Sequence, residues 1–213
     1  MNVTGDSWRR LWGELGARTI DGGLFNQLVA AYSQKHRHYH TLQHLRECLA
    51  NLDAAASLAQ RPAEVELALW FHDAVYDPRR DDNEEESAAW AQRAVIAAGC
   101  SEEVARRVAA LVLATKAHDA SAADADTRLL VDIDLAILGA APARFADYER
   151  QVRAEYAHVP EEAFDTGRMR VLEGFVAREH LYATDAFRAA LEQRARDNLT
   201  NSLAQLKARS DAA

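Results

Sequence analysis

Apolar residues recur along most of the chain at spacings of three and four, which is the pattern of an α-helix with one buried face. Short polar stretches with glycine, proline, serine or aspartate separate these segments and are typical helix starts and stops. The clearest predicted helices cover residues 64–72, 83–98, 101–118, 129–139, 142–157, 160–178 and 184–207. A strand would also suit the apolar run 129–139, but its length favours a helix, and a polar loop is expected at 119–126. We therefore expect an all-α fold, a single-domain helical bundle over residues 1–213.

Three further helices are predicted in the first quarter of the chain. The first has Asp6 or Ser7 as its N-cap, and an exposed apolar patch at its Trp8 and Trp12 would indicate a homodimer. The second follows a Gly-Gly break at 22–23, and the third runs through the apolar positions of 45–52.

The helix predicted at 64–72 is the unusual one, because its apolar run closes on an imidazole and a carboxylate, His72 and Asp73. Burying such groups costs several kcal/mol unless a partner compensates their charge. A divalent cation is one such partner.

Composition narrows the range of functions. The formal net charge is -8, from 25 basic and 33 acidic residues, which argues against an extended nucleic-acid face and against docking on anionic lipid. No apolar run approaches the roughly 18 residues that a membrane span needs, so no membrane association is expected. Cys48 and Cys100 suit a reducing compartment, are interpreted as small buried hydrophobes, and point to a cytoplasmic protein.

Histidine or carboxylate recurs in or beside four otherwise apolar segments. If the third helix already includes His40, then His40 and His44 share one face at i and i+4. Imidazole and carboxylate together suit a divalent metal ion, whether Mn, Fe, Ni, Co, Zn or Mg, without choosing among them. The residues concerned are His40 and His44, His72 and Asp73, Lys116 and His118, and Asp132 and Asp134.

A histidine, an adjacent His-Asp pair and a distant aspartate follow one another in the order of the HD superfamily of metal-dependent phosphohydrolases, which this chain resembles. The segment Tyr39 to His44 is similar to the Tyr-His-Asn-x-x-His segment of the cyclic-nucleotide phosphodiesterases in that superfamily, and Asp132 to Leu135 resembles its Asp-Ala-Asp-Arg/Leu segment. The resemblance implies an HD-type helical bundle with a metal site between helices. Its ligands would be His44, His72, Asp73 and Asp134.

Over roughly residues 25–180 the chain is also similar to a group of small bacterial proteins described as predicted HD-superfamily phosphohydrolases. Thr41 replaces the asparagine of the phosphodiesterases, and their second histidine motif is missing after Asp73. These departures disfavour a cyclic nucleotide and make segment 74–87 the place to look for substrate contacts. The shared motifs are 37–40, 70–77, 83–88, 114–118 and 132–139.

The resemblance implies that His40 is the catalytic acid, with a histidine that only hydrogen-bonds a ligand or carboxylate as the alternative. Asp77 is expected to activate water or bind a second cation, unless it is an ordinary turn residue. Lys116 and His118 are candidates for binding substrate phosphate or a second metal, although Lys116 also suits the end of a helix dipole. Arg37 is a candidate for substrate binding on resemblance alone.

A further set of residues is expected around the site without touching the metal. Asp132 diverges by about 200 degrees from Asp134 on a helix and is expected to support the site from outside. Glu84 and Glu85 fit helix-start acids or outer contacts of the site. Arg153 and Tyr156 are candidates for substrate contact on resemblance alone, with surface charge and packing between helices as the alternative.

The main functional hypothesis is hydrolysis of a small-molecule phosphate ester, with a nucleotide as one candidate, by metal-activated water. Two alternatives stay open: a di-iron oxygenase on the same fold, which needs further ligands, and a non-catalytic sensory module that binds metal or another ligand.

Overall fold

The computed structural model describes residues 3–118 and 123–212, and all regular secondary structure in these ranges is helical. The all-α expectation is therefore confirmed, while residues 119–122 of the predicted polar loop lie outside the described part. Short 3-10 turns follow α3 and α7, at Ala56–Leu58 and Leu135–Gly139. The helices are α1 Gly5–Glu14, α2 Leu24–Ala31, α3 Leu42–Ala54, α4 Pro62–Phe71, α5 Asn83–Ala97, α6 Glu102–Ala114, α7 Ala125–Asp134, α8 Pro142–Glu155, α9 Glu161–Val176 and α10 Asp185–Ala212.

Two helix starts differ from the sequence prediction. Thr4, not Asp6 or Ser7, caps α1, because the Thr4 side chain accepts from the Ser7 amide while the Ser7 side chain accepts from the Thr4 amide. Helix α3 begins only at Leu42, after Thr41, whose side chain accepts a hydrogen bond from the Gln43 amide at 3.2 Å. His40 therefore lies outside α3, and the proposed i, i+4 pairing with His44 on one helix is wrong.

The chain divides into two compact units, Met1–Asp134 and Leu135–Ala213. The single domain expected over residues 1–213 stays a prediction. The predicted helix 129–139 spans the division: it is α-helical through Asp134 and continues as a 3-10 turn to Gly139.

Helix α4 lies at the centre of the first unit, where α1, α3, α5, α6 and α7 pack around it. Every residue from Glu64 to Phe71 is buried, which is expected of a helix that is surrounded on all sides. Arginines reach its two buried glutamates: Arg107 binds Glu64 through two contacts of 2.7 Å, and Arg10 binds Glu66 at 2.8 Å. This packing fixes the end of α4, where His72 follows.

Trp8 and Trp12 lie in the core of the first unit, 3% and 1% exposed. Trp8 and Phe25 pack against Trp70 of α4, with ring centroids 5.0 and 5.7 Å from that of Trp70, and Trp12 packs edge-on against Trp8. The apolar patch that would have indicated a homodimer is therefore not on the surface. Among the described residues, no helix has the length and apolar character that crossing a bilayer requires.

The second unit contains α8, α9 and α10 packed with the 3-10 turn Leu135–Gly139. Asn198 of α10 donates to the carbonyls of Leu138 and Ala140 at 2.8 and 2.9 Å, which satisfies the end of this turn. Gly139 permits the close approach, since a Cβ at that position would lie 2.7 Å from the Leu191 Cβ and 3.0 Å from the Leu191 carbonyl oxygen.

Gly139→Ala is expected to lower the free energy of unfolding by about 1–3 kcal/mol, because the added methyl group cannot fit against Leu191. Gly167→Ala on α9 is the matched control: a Cβ there meets nothing within 4 Å, so the same change should raise stability by about 0.5–1 kcal/mol. Denaturant unfolding measures both, and equal effects of the two substitutions would contradict the packing argument.

Candidate metal centre

Three separate segments of the first unit bring two imidazoles and two carboxylates to one point. His44 lies in the first turn of α3, His72 and Asp73 follow α4, and Asp134 ends α7. His44 and His72 are both 2% exposed. Because the apolar contacts of α3, α4 and α7 fix the backbones, these side chains converge on one small volume.

The donor atoms lie at the distances that separate ligands of one cation. The Nε2 atoms of His44 and His72 are 3.0 Å apart. Asp73 Oδ2 is 3.0 Å from His72 Nε2 and 3.5 Å from His44 Nε2. Asp134 Oδ1 is 3.1 Å from His44 Nε2 and 3.5 Å from His72 Nε2. With metal bonds of about 2.1 Å, neighbouring ligands are separated by about 3.0 Å in an octahedron and about 3.4 Å in a tetrahedron.

A backbone contact orients the Nε2 atom of His72 toward this centre. His72 Nδ1 is 2.8 Å from the Leu69 carbonyl oxygen, one turn earlier in α4. Since a carbonyl only accepts, Nδ1 carries the proton, and in the neutral ring Nε2 is left with its lone pair directed at the carboxylates. Ligating histidines are oriented in the same way in known metal sites.

Both carboxylates are ionised despite their burial. Burial by itself raises the pKa of Asp73 and Asp134, but the adjacent histidines outweigh it, and each pKa lies below its ordinary value. Burial likewise lowers the pKa of His72, yet the two carboxylates raise it well above its ordinary range. The centre therefore attracts positive charge, from a proton or from a cation.

Asp73 also has a buried oxygen, Oδ2, with no hydrogen-bond partner. His72 Nε2 is 3.0 Å away, but the pair lacks hydrogen-bond geometry. An ionised oxygen left in this state is costly unless a cation completes its coordination. The residues of the centre thus fit a divalent metal ion.

Cys48 is the residue that the sequence prediction missed. It is buried, as expected, but its Sγ belongs to a group with His44, His72 and Asp134 in which all ligand atoms lie within 4.8 Å of one another. The signal available in the sequence was its position four residues after His44, which places both on one face of α3.

His118 contacts a predicted ligand. Its Nε2 is 3.0 Å from Oδ2 of Asp134, the oxygen that faces away from His44. The backbone of His118 has a φ of 47°, in the left-handed region that non-glycine residues rarely adopt. This unusual conformation aims the imidazole at Asp134, which is the contact that orients a metal-binding carboxylate.

Lys116 binds the segment that precedes α5. Its Nζ donates to the Asp81 carbonyl at 2.6 Å and to Glu85 Oε1 at 2.5 Å, and its side chain is 44% exposed. Glu85 is thus in an ion pair, and Glu84 is half-buried in the same first turn.

Asp77 forms the turn before α5, where its Oδ1 accepts from the Arg79 amide at 3.0 Å.

Arg37 is buried beneath the segment that carries Asp73, although substrate binding was predicted for it. Its Nη1 donates to the carbonyls of His40 and Asp73 at 3.2 and 2.6 Å, and its Nη2 donates to the carbonyl of Ala74 at 3.1 Å. These bonds use the planar guanidinium to hold two chain segments together.

His40 is half-buried at the edge of the centre. Its ring stacks on Tyr76 with centroids 4.1 Å apart, and it lies 6.0 Å from the ring of His44. Burial raises the pKa of Asp73, but the charges of His72 and then His40 lower it. Stacking on Tyr76 therefore keeps this imidazole close to the carboxylates.

Three other candidates were expected around the site. Asp132 is buried at 1% exposure, two residues before Asp134 on α7. Arg153 and Tyr156 belong to the second unit, where Arg153 donates to the Tyr156 carbonyl at 2.7 Å.

Comparisons of the chain with protein-family models, with curated proteins and with solved structures found no match.

His72→Ala is expected to abolish stabilisation by a divalent cation, because it removes the nitrogen that the Leu69 carbonyl orients. A cation at 100 times its dissociation constant should stabilise the native chain by about 2.7 kcal/mol. Chemical unfolding with Zn²⁺ or Mn²⁺, and with a chelator, measures the difference. His38→Ala, at an exposed position of the same chain segment as His40, should behave like the unaltered protein. Equal metal content in both variants would contradict the ligand assignment.

Arg37→Lys is expected to lower the free energy of unfolding by about 1–3 kcal/mol, because a lysine cannot reach all three carbonyl oxygens and leaves a buried acceptor without a donor. The measurement is made in chelator, so that metal binding does not contribute. Arg79→Lys, at an exposed position, should stay within about 0.5 kcal/mol of the unaltered protein. An unchanged stability for Arg37→Lys would favour the original substrate-binding interpretation.

Proposed function

We propose that this protein is a metal-dependent phosphohydrolase of the HD type, which cleaves a small phosphate ester, with a nucleotide as one candidate substrate. The observation that carries the proposal is the convergence of His44, His72, Asp73 and Asp134 within 3.0 to 3.5 Å in a buried site. The resemblance of the sequence motifs to the HD superfamily supplies the reaction class.

A bound divalent cation would supply Lewis-acid chemistry, by lowering the pKa of water and polarising a phosphoryl oxygen. The four residues provide two imidazole nitrogens and two carboxylate oxygens, a set that Mn, Fe, Co, Ni or Zn accepts more readily than Mg. Because protons compete for the same atoms, the affinity for any of these metals falls as the pH falls.

His40 is the group that we assign to the leaving-group oxygen. It is close enough to Asp73 to affect the pKa of that carboxyl, yet it lies outside the donor cluster and is only half-buried. Imidazolium can donate a proton near neutral pH, and the stacked Tyr76 holds the ring while it does so. His40 thus combines a titratable proton with access to a bound ester.

Other residues act by positioning the ligands. Arg37 holds the carbonyls on either side of the centre, those of His40 and Asp73, at a fixed separation. His118 fixes the carboxylate plane of Asp134 through its outer oxygen. Since a ligand displaced by 1 Å weakens both binding and catalysis, these contacts support the proposed activity without touching substrate.

A cavity of about 550 Å³ is lined by the segment that follows Asp73 in the chain, and we assign the rest of the substrate to it. Its walls combine aromatic rings, amides and an arginine, which would suit a planar polar group such as a nucleobase. Tyr76 lines this cavity and also stacks on His40, which links it to the proposed acid. The lining includes Gln27, Gln34, Tyr76, Asp77, Arg80 and Trp90.

A reducing compartment, the cytoplasm, is part of the same proposal. Cys48 and Cys100 are both free thiols, which is the state that a reducing environment maintains.

Phosphate release by metal-loaded protein tests the proposal across a panel of nucleotides, sugar phosphates and p-nitrophenyl phosphate. We expect turnover that requires the cation and is lost in Asp134→Asn. His40→Ala should keep its metal but lose about 10²- to 10⁴-fold in kcat on alkyl esters, whose leaving oxygen needs a proton. The loss should be much smaller on p-nitrophenyl phosphate, whose leaving group is stable without protonation.

The same preparation separates the competing functions. An iron content near two atoms per chain, with consumption of O₂, would favour a di-iron oxygenase over the hydrolase. Stoichiometric metal with no turnover across the panel would favour a sensory or other binding module. A uniform effect of His40→Ala on all esters would contradict its assignment as the acid.

A further inference from the structure

Helix α3 carries a second potential ligand one turn beyond His44. Cys48 is 1% exposed, and its Sγ lies 3.7 Å from both ring nitrogens of His44. Residues at i and i+4 project from the same helical face, so the thiol lies beside the imidazole on the side of the centre. The helix holds the backbones of these two residues in a fixed relation.

The Sγ position agrees with a shared coordination sphere. A nitrogen at about 2.1 Å and a thiolate at about 2.3 Å from one tetrahedral ion are about 3.6 Å apart. The observed separation between Cys48 Sγ and His44 Nε2 is 3.7 Å; because Sγ is also 3.7 Å from Nδ1, the sulfur lies beside the imidazole ring and must shift to join a cation bound at Nε2. His72 and Asp134 complete a compact group with these two residues, in which all donor atoms lie within 4.8 Å of one another.

Two independent observations point to a ligand here. The first is the distance of the thiol sulfur from the His44 nitrogens. The second is that Asp73 Oδ2, another donor atom of this centre, is buried without a hydrogen-bond partner. A thiol that served only as a small apolar side chain would have no reason to join a cluster of polar donors.

We propose that Cys48 binds the cation of this centre through its sulfur, giving a mixed nitrogen, oxygen and sulfur site. The inference rests on the proposed metal centre and deepens it by naming the class of metal. On binding, the thiol proton leaves to solvent as the sulfur–metal bond forms, with no change of oxidation state. Thiolate ligands select Zn²⁺, Fe²⁺ or Co²⁺ over Mg²⁺ and Mn²⁺, which prefer oxygen.

Cobalt binding tests this without any change at Cys48. In Cys100→Ala the only thiol left is Cys48, so strong near-ultraviolet charge-transfer absorption on adding Co²⁺ must come from its sulfur. Weaker visible bands report cobalt bound by any set of ligands. X-ray absorption of the Zn²⁺-loaded Cys100→Ala protein should show a sulfur neighbour at about 2.3 Å. We expect both signals.

The outcomes separate this inference from the function on which it rests. Visible cobalt bands without charge transfer, and a zinc shell of nitrogen and oxygen only, would overturn the Cys48 assignment and leave the metal centre intact. Absence of any cobalt binding would overturn both. Retained bands in His38→Ala and lost bands in His72→Ala would confirm that the spectrum reports this site.

Cys48→Ala and Cys48→Ser add an affinity measurement. Zn²⁺ affinity should fall by more than about tenfold, while Mn²⁺ affinity should change little, since an oxygen-preferring ion gains less from the sulfur. An equal loss for both metals would indicate that Cys48 only supports the packing of His44. Cys100→Ala is the matched control for removing a thiol, since Cys100 is not among the residues of the donor cluster.

Discussion

The buried end of α4 is the constraint on which the candidate site depends. A helix surrounded by apolar neighbours places His72 where water cannot compensate its ring or the carboxylate beside it. In such a low-dielectric setting, charges interact strongly and unpaired ones are expensive. The approach of Asp134 and His44 from two other helices balances the charges, and it also creates a pocket for positive charge. The charge balance of the fold and the candidate metal site therefore come from the same arrangement.

Much of the surrounding polar structure holds this arrangement in place. Arg37 connects the segment before α3 to the segment after α4 by hydrogen bonds. His118 contacts Asp134 and has a backbone conformation that non-glycine residues rarely adopt. Strained or fully bonded residues of this kind are common around functional sites, where they hold ligands in place before the metal or substrate binds. In this protein Arg37 holds the chain segment that carries Asp73, and His118 holds the carboxylate of Asp134.

Cys48 shows how one position can satisfy both a packing and a chemical requirement. A small, soft side chain fits the apolar face of α3, and the same side chain stands beside His44 within reach of the donor cluster. Replacing an oxygen-only environment by one with sulfur changes which ions bind tightly. The identity of the metal would thus be decided by a residue that looks like ordinary core in the sequence.

The sequence by itself determined the helical class and identified candidate metal ligands, because hydrophobic periodicity and the His-Asp pairing are local patterns. It also located most helices within a few residues, and it named Asp134 and His44 from their motifs. Only the tertiary structure decided which of these groups meet, since that depends on how helices distant in sequence pack. In the structure His40 lies outside α3, and Arg37 donates to backbone carbonyls. His118 contacts Asp134, and Cys48 lies in the donor cluster. Side-chain direction and burial follow from packing between elements, and no pattern along one element contains that information.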